Sequence, residues 1–219
     1  MTGKELITKM RYRLDDVVGA SSSSQWSDTE ILFYAEAVQY EIAEECRCIH
    51  DATSEGCEVA VVAGDKTVQL ESLSVELESA FFIYADGNTP LGVRASLQDL
   101  IDINAWPVPS VGLPSVVAPV NSDGLYAFDK ELSVDGIIKV VTTRLPLNSV
   151  TSAASLELPV KYQQRIFNGM LHLAFARPDT ETQSVTKSEL YKKLYELDKE
   201  MIKRTENRVR PKKINHLVS

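Results

Sequence analysis

The chain has 219 residues, 44% of them hydrophobic and 25% charged, a composition that can bury a sizeable core and excludes a disordered protein. Its 23 basic and 31 acidic residues leave a net charge of −8, which argues against tight nucleic-acid binding as the main task, because neutralising phosphates requires a basic surface. No apolar run approaches the ~18 residues of a membrane span. The opening MTGKELITKMRYRLDD is too charged for a signal peptide, so the sequence reads as a protein made in a cytoplasm with no membrane partner.

From Gly3 to Val18, Leu6, Met10, Leu14 and Val17 recur at helical spacing and predict an amphipathic helix, which the small polar run GASSSS then breaks. In SQWSDTEILFYAEAVQYEIAEE, Ser27 and Glu30 form a capping box: the serine oxygen accepts from the Glu30 N–H and the glutamate reaches back to the Ser27 N–H. Trp26 and Ile31 then fall at the two positions of a hydrophobic staple, which sets the direction in which the chain enters the helix. The second helix carries Ile31, Ala35, Val38, Ile42 and Ile49 on one stripe.

Cys46, Cys48, His50 and Cys57 spell C-x-C-x-H-x6-C, which invites a zinc hypothesis. Structural zinc sites favour C-x2-4-C spacing, however, and on a continuing helix Cys46 and His50 share a face that Cys48 does not. Small buried thiols are the favoured reading, and three cysteines are too few for a disulfide framework.

From Gly56 the period changes. CEVAVVAGDKTVQLES reads as a hairpin about Gly64-Asp65, and SAFFIYADGNTPLGVRAS as a second about Asp86-Gly87-Asn88. A short helix follows in SLQDLIDINAW, then the proline-rich stretch Pro107–Pro119, extended or looping. Strands are expected at Leu125–Phe128 and in GIIKVVTTRLP, where Ile138, Val140 and Thr142 alternate with Ile137, Lys139 and Val141. Helix returns in LPVKYQQRIFNGMLHLAFA, with Tyr162, Ile166, Met170 and Leu173 on one face. The long SVTKSELYKKLYELDKEMIKRTENRV follows, with Leu190, Leu194, Leu197 and Met201 on one stripe and a mixed-charge outer face.

This order predicts an α+β fold. A helical bundle is made by N-terminal (1–55) and C-terminal (151–207) helix pairs, with an inserted antiparallel β-rich module (56–150) and an extended basic tail (208–219). Residues 203–216 hold six basic residues against one acid, so the rest of the chain has 17 basic and 30 acidic residues, a charge of −13. That asymmetry suggests an acidic surface, on another copy or another protein, that receives the tail.

Catalytic signatures are missing: the sequence has no Gly-rich phosphate loop, H-E-x-x-H, G-x-S-x-G or dinucleotide fingerprint. No catalytic residue, cofactor site or metal site is assigned, and the chain reads as a non-enzyme. His172 lies between Leu171 and Leu173 as a core or interfacial imidazole. Asp15 and Asp16 point about 100° apart on a helix and read as a solvated face or as partners of an arginine. The loop PDTETQS reads as a connection, and Trp106 as core or as a partner's anchor.

RYRLDD, then a polar loop, then QWSDTEILFYAEAVQYEIAEE, resembles the N-terminal pattern of phage head-to-tail adaptor proteins, the family of tail tubular and head-completion adaptors of short-tailed phages. LELPVKYQQRIFNGMLHLAFARPDTETQSVTKSELYKKLYELDKEM is similar to that family's closing helix pair, and KVVTTRLPL to the strand and link before it. The likeness covers nearly the whole chain in order. It departs from the commoner pattern at Ala35-Glu36-Ala37 and in AWPVPSVGLPS.

The resemblance implies a structural virion part in the neck. It would be a ring of copies, dodecameric in most known cases, beneath the portal protein, carrying a downstream nozzle or tail protein and passing genomic DNA without binding it specifically. The helical bundle would form the ring wall. The tail would insert into the portal, with Ile214, Leu217 and Val218 as apolar anchors and Arg208, Arg210, Lys212 and Lys213 as charged contacts. Two other readings stand beside it: a regulatory or nucleic-acid-binding protein using the basic tail, and a small zinc protein centred on Cys46, Cys48, His50 and Cys57.

Overall fold

The computed structural model describes residues 1–16, 25–70, 74–102, 110–121, 123–178 and 184–209. Its elements in chain order are α1 (Gly3–Leu14), α2 (Asp28–Cys46), β1 (His50–Asp51), β2 (Glu58–Val61), β3 (Thr67–Gln69), β4 (Ser74–Tyr84) and β5 (Gly87–Val93). There follow α3 (Leu97–Asp102), β6 (Val111–Gly112), β7 (Val116–Pro119), β8 (Leu125–Phe128), β9 (Glu131–Leu132), β10 (Gly136–Arg144), α4 (Ile166–Ala176) and α5 (Val185–Val209). Single 3-10 turns lie at Glu55–Cys57 and Val160–Tyr162. The chain divides into two compact units, one of Met1–Ile49 with Pro146–Ser219, the other of His50–Leu145.

The expectation of a helical bundle carrying an antiparallel β insertion is corrected. The class is α+β, but the core is a curled mixed sheet of eight strands accompanied, among the described residues, by five helices. The sheet runs β1-β10-β4-β5-β7-β8-β3, and β2 shares the second edge of β10 with β1. β5 and β7 pair in parallel, as do β6 and β9 in a separate two-stranded sheet. The physical reason is long-range pairing. β10 bonds strands that begin at residues 50, 58 and 74, and no local period reports such partners.

The same reason corrects the first hairpin. The chain does turn at Gly64, whose φ of +95° suits a residue without Cβ. Yet β2 pairs with β10 and β3 with β8, so the turn carries the chain between two ladders. β4 and β5 do form a hairpin, from Ala80 opposite Leu91 to Tyr84 opposite Gly87. Within the Pro107–Pro119 stretch, β6 and β7 are strands; residues 103–109, with Trp106, lie outside the described ones.

Alternation puts Leu77, Ala80 and Phe82 of β4 and Ile138 and Val140 of β10 on the inner face, where they meet Phe128 and Leu132. Phe81, Ile83 and Ile137 stay exposed on strands whose register sets Ile137 opposite Ile83. Burial pushes the Asp51 carboxyl up, but the Thr53 N–H, the Arg144 guanidinium at 2.5 Å and the Ser54 N–H outweigh it and hold that group well below the usual carboxylate range.

In the other unit the α1 N-terminus is capped by a box of Thr2 and Glu5, and the Met1 ammonium donates to Gln163 Oε1 at 2.7 Å. α4 lies against both α2 and α5. Gly169 makes this possible: a Cβ there would lie 2.8 Å from Val38 and 3.0 Å from Tyr195.

Candidate assembly surface

The start of α2 is held from both sides. Ser27 is its N-cap: the Glu30 N–H donates to Ser27 Oγ at 3.2 Å and the Ser27 N–H donates to Glu30 Oε2 at 2.9 Å. Trp26 is buried and meets the Phe175 ring edge-on, with centroids 6.4 Å apart; Ile31 is fully buried.

What anchors Trp26 is Asp16. Its Oδ1 accepts from the Gln25 N–H at 3.0 Å and its Oδ2 from the Trp26 N–H at 3.3 Å, while Arg11 Nη1 donates to the same Oδ2 at 2.8 Å. Arg11 Nη2 reaches on to Asp28 at 2.6 Å, and Arg177 bridges Glu30 Oε1 and the Gln25 carbonyl. One carboxylate therefore ties the end of α1 to the start of α2. Asp15, in the left-handed conformation, is the C-cap of α1. The Asp15-Asp16 pair marked this point in the sequence, but which of the two would turn inward is decided by the αL cap.

The faces of α5 are the largest departure from the periodic reading. Its packed side presents Ser188, Tyr195, Lys199, Ile202 and Glu206, all buried. The stripe expected to pack stands in solvent instead: Leu190 is 54% exposed, Leu194 38%, Leu197 57% and Met201 50%.

The inward charges survive because each meets opposite charge. Lys199 Nζ donates to Glu41 at 2.6 Å and Glu45 at 2.9 Å, lies 3.1 Å from Glu196, and sits over the Tyr195 ring. Burial pushes the Lys199 ammonium down, but the bonds to Glu41, Glu45 and Glu196 outweigh it and raise its pKa. The Glu45 carboxyl is lowered, first by Lys203, against burial. Glu206 accepts from the Tyr162 hydroxyl and from Lys161 Nζ at 2.9 Å. His172 Nδ1 lies 2.9 Å from Ser188 Oγ, a contact between α4 and α5.

A second apolar stripe runs along α2, where Phe33 is 66% and Tyr40 43% exposed and Ala37 lies exposed between them. Exposed apolar rows of this kind mark interaction surfaces more often than isolated exposed residues do.

Of the basic tail, Arg208 is exposed in the last turn of α5; Arg210, Lys212, Lys213, Ile214, Leu217 and Val218 lie outside the described residues, as does most of PDTETQS. The four residues of the zinc reading are engaged separately. Cys46 Sγ donates to the Lys199 carbonyl, Cys48 is fully buried, His50 faces Glu78 at 3.0 Å, and Cys57 Sγ lies 3.4 Å from Ser54 Oγ. Burial pushes the Cys46 thiol up to about 11 and the Cys48 thiol up to about 12. Among the described residues no group of three or more His, Cys, Asp or Glu is placed to hold a metal ion, and no helix is long and apolar enough to cross a membrane.

A cavity lined by Ser54, Gly56, Cys57, Leu70, Ser74, Thr142 and Arg144 measures about 10 Å³, room for one water rather than a substrate. No protein-family model matches the chain, and no curated protein matches it significantly.

Proposed function

We propose that this chain is a structural assembly protein that works as a head-to-tail adaptor, forming a ring beneath a phage portal. The observation that carries the reading is the apolar stripe of α5, Leu190 to Met201, which stands in solvent on a helix whose other side is fully engaged. An enzyme concentrates its exposed chemistry in a concave pocket, whereas a subunit of a closed assembly displays apolar rows that only another chain covers. The ordered likeness of the two terminal helix pairs to those of adaptor proteins names the assembly.

In this role the Asp16 clamp and the Ser27–Glu30 box have a mechanical purpose. A closed ring repeats one contact about an axis, so an error in the α1–α2 angle would recur at every step. The basic tail, residues 208–219, docks into the portal, and the net charge of −13 carried by the chain outside residues 203–216 lets DNA slide past without being held. The side of the ring away from the portal receives the nozzle or tail component.

The test is co-sedimentation of the purified protein with portal rings from the same source, alongside a chain lacking residues 208–219. The full chain joins the rings and the shortened one stays folded in the supernatant. Failure of the full, folded chain to associate overturns the adaptor reading, and normal attachment of the shortened chain overturns the role given to the tail.

A further inference from the structure

We infer that the Leu190-Leu194-Leu197-Met201 face of α5 docks on the Phe33-Ala37-Tyr40 face of α2 in a second copy of this chain. The inference deepens the ring reading above by naming the two surfaces that meet, and it rests on three features of those helices.

The first is matched spacing. The α5 stripe advances by four, three and four residues, and α2 repeats that spacing in Phe33, Ala37, Tyr40 and Glu44. Each row is about 16 Å long at 1.5 Å per residue, so one lies along the other without overhang. The second is matched shape, because Ala37 leaves a recess between Phe33 and Tyr40 into which a leucine fits as a knob into a hole.

The third is charge. Lys193, Arg204 and Arg208 flank or prolong the α5 row, while the α2 row carries Glu36 at its flank and Glu44 at its end, with Arg47 a turn beyond. Of the acids beside the α5 row, Asp198 is held by Arg165 at 2.6 Å and Glu200 pairs with Arg204 at 3.1 Å, two exposed side chains that water already screens. Opposite signs on the two rims favour α5 against α2 over α5 against α5, which would set Lys193, Arg204 and Arg208 near their own copies.

A contact between different faces is heterologous. An open series keeps one unused face of each kind, at its two ends, until it closes on itself. Both faces belong to this chain, so the contact is testable without a portal.

The experiment uses two full-length variants, Ala37→Cys and Leu197→Cys, mixed at concentrations up to about 1 mM and treated with a short bismaleimide. Both positions are exposed, so neither change disturbs the core. The native Cys46, Cys48 and Cys57 are buried and serve as the unreactive control in the parent chain. The mixture is expected to yield a cross-linked dimer that neither variant gives alone, and Leu194→Glu added to the Leu197→Cys variant is expected to lower the cross-link yield at least ten-fold while leaving helicity unchanged.

Three results would overturn the pairing: no cross-link at any concentration, a dimer from Leu197→Cys alone, or a cross-link that appears only when residues 210–219 are deleted, which would mean that the chain's own tail covers the stripe. Copies that assemble on portal rings without the 37–197 cross-link would refute this contact and leave the adaptor reading standing. Cross-linked copies that ignore portal rings would do the reverse.

Discussion

Replacing Lys199 with methionine keeps most of the volume of the side chain and removes only the ammonium, so it measures what the charge cluster of α2 and α5 contributes. The ammonium bonds Glu41 and Glu45 and lies beside Glu196, and its side chain is only 4% exposed. A charge-assisted hydrogen bond contributes about 1.5–3 kcal/mol when both partners are buried. Here the carboxylates remain partly in water, which reduces each bond to roughly 1 kcal/mol or less. Three such bonds, with the mutual repulsion of the acids left behind, give an expected loss of about 2–3 kcal/mol.

Urea unfolding followed by circular dichroism at the helix band should show the midpoint falling by about 1 M, for a slope of roughly 2 kcal/mol per molar. A loss below about 0.5 kcal/mol would refute the reasoning, because it would mean that the cost of burying the ammonium cancels all three partners. The sign with pH follows from the raised pKa of Lys199. Its contribution is fully present below the ordinary lysine value of about 10.4 and is lost as pH rises through the higher folded value.

Asp16→Ala removes the acceptor for Arg11 and for two backbone N–H groups, and should cost about 2 kcal/mol in urea unfolding while shifting tryptophan emission to longer wavelength as Trp26 loosens; an unchanged spectrum and midpoint would show that the clamp does not hold Trp26. Asp51 has a folded pKa below its unfolded value of about 4, so its contribution is present above that pH and lost as pH falls through the folded value. The parent protein should therefore lose stability more steeply than Asp51→Asn between about pH 4 and pH 2, and parallel curves from urea midpoints would contradict this.

The local devices were legible in the sequence because they are short-range. Ser27 and Glu30 are three residues apart, and their spacing alone states the box. α5 shows where such reading stops. Its period correctly separates two faces, but the choice of which face turns inward is made by Glu41 and Glu45 on α2 and by Lys161 and Tyr162, more than 40 residues away in each case. Because those partners neutralise Lys199 and Glu206, the polar face packs and the leucine row is left outside. Asp16 was visible as one of two adjacent acids, yet nothing local showed that its carboxylate would collect the Gln25 and Trp26 amides. Strand pairing was hidden in the same way: Gly64-Asp65 announces a turn, but the partner of the preceding strand is β10, beginning 75 residues after Val61.

The late position of β10 also orders the events of folding. As the chain leaves the ribosome, β1, β2 and β4 emerge with unsatisfied edges and have to wait until residues 136–144 arrive to bond all three. The unit His50–Leu145 is then complete and can consolidate, whereas α1 and α2 are made first and are among the last to find their partners, since α4 and α5 come from the end of the chain. Until β10 arrives, the buried faces of α1 and α2 and the waiting edge of β4 are exposed together, and the success of folding in a cell depends on how briskly the middle of the chain closes.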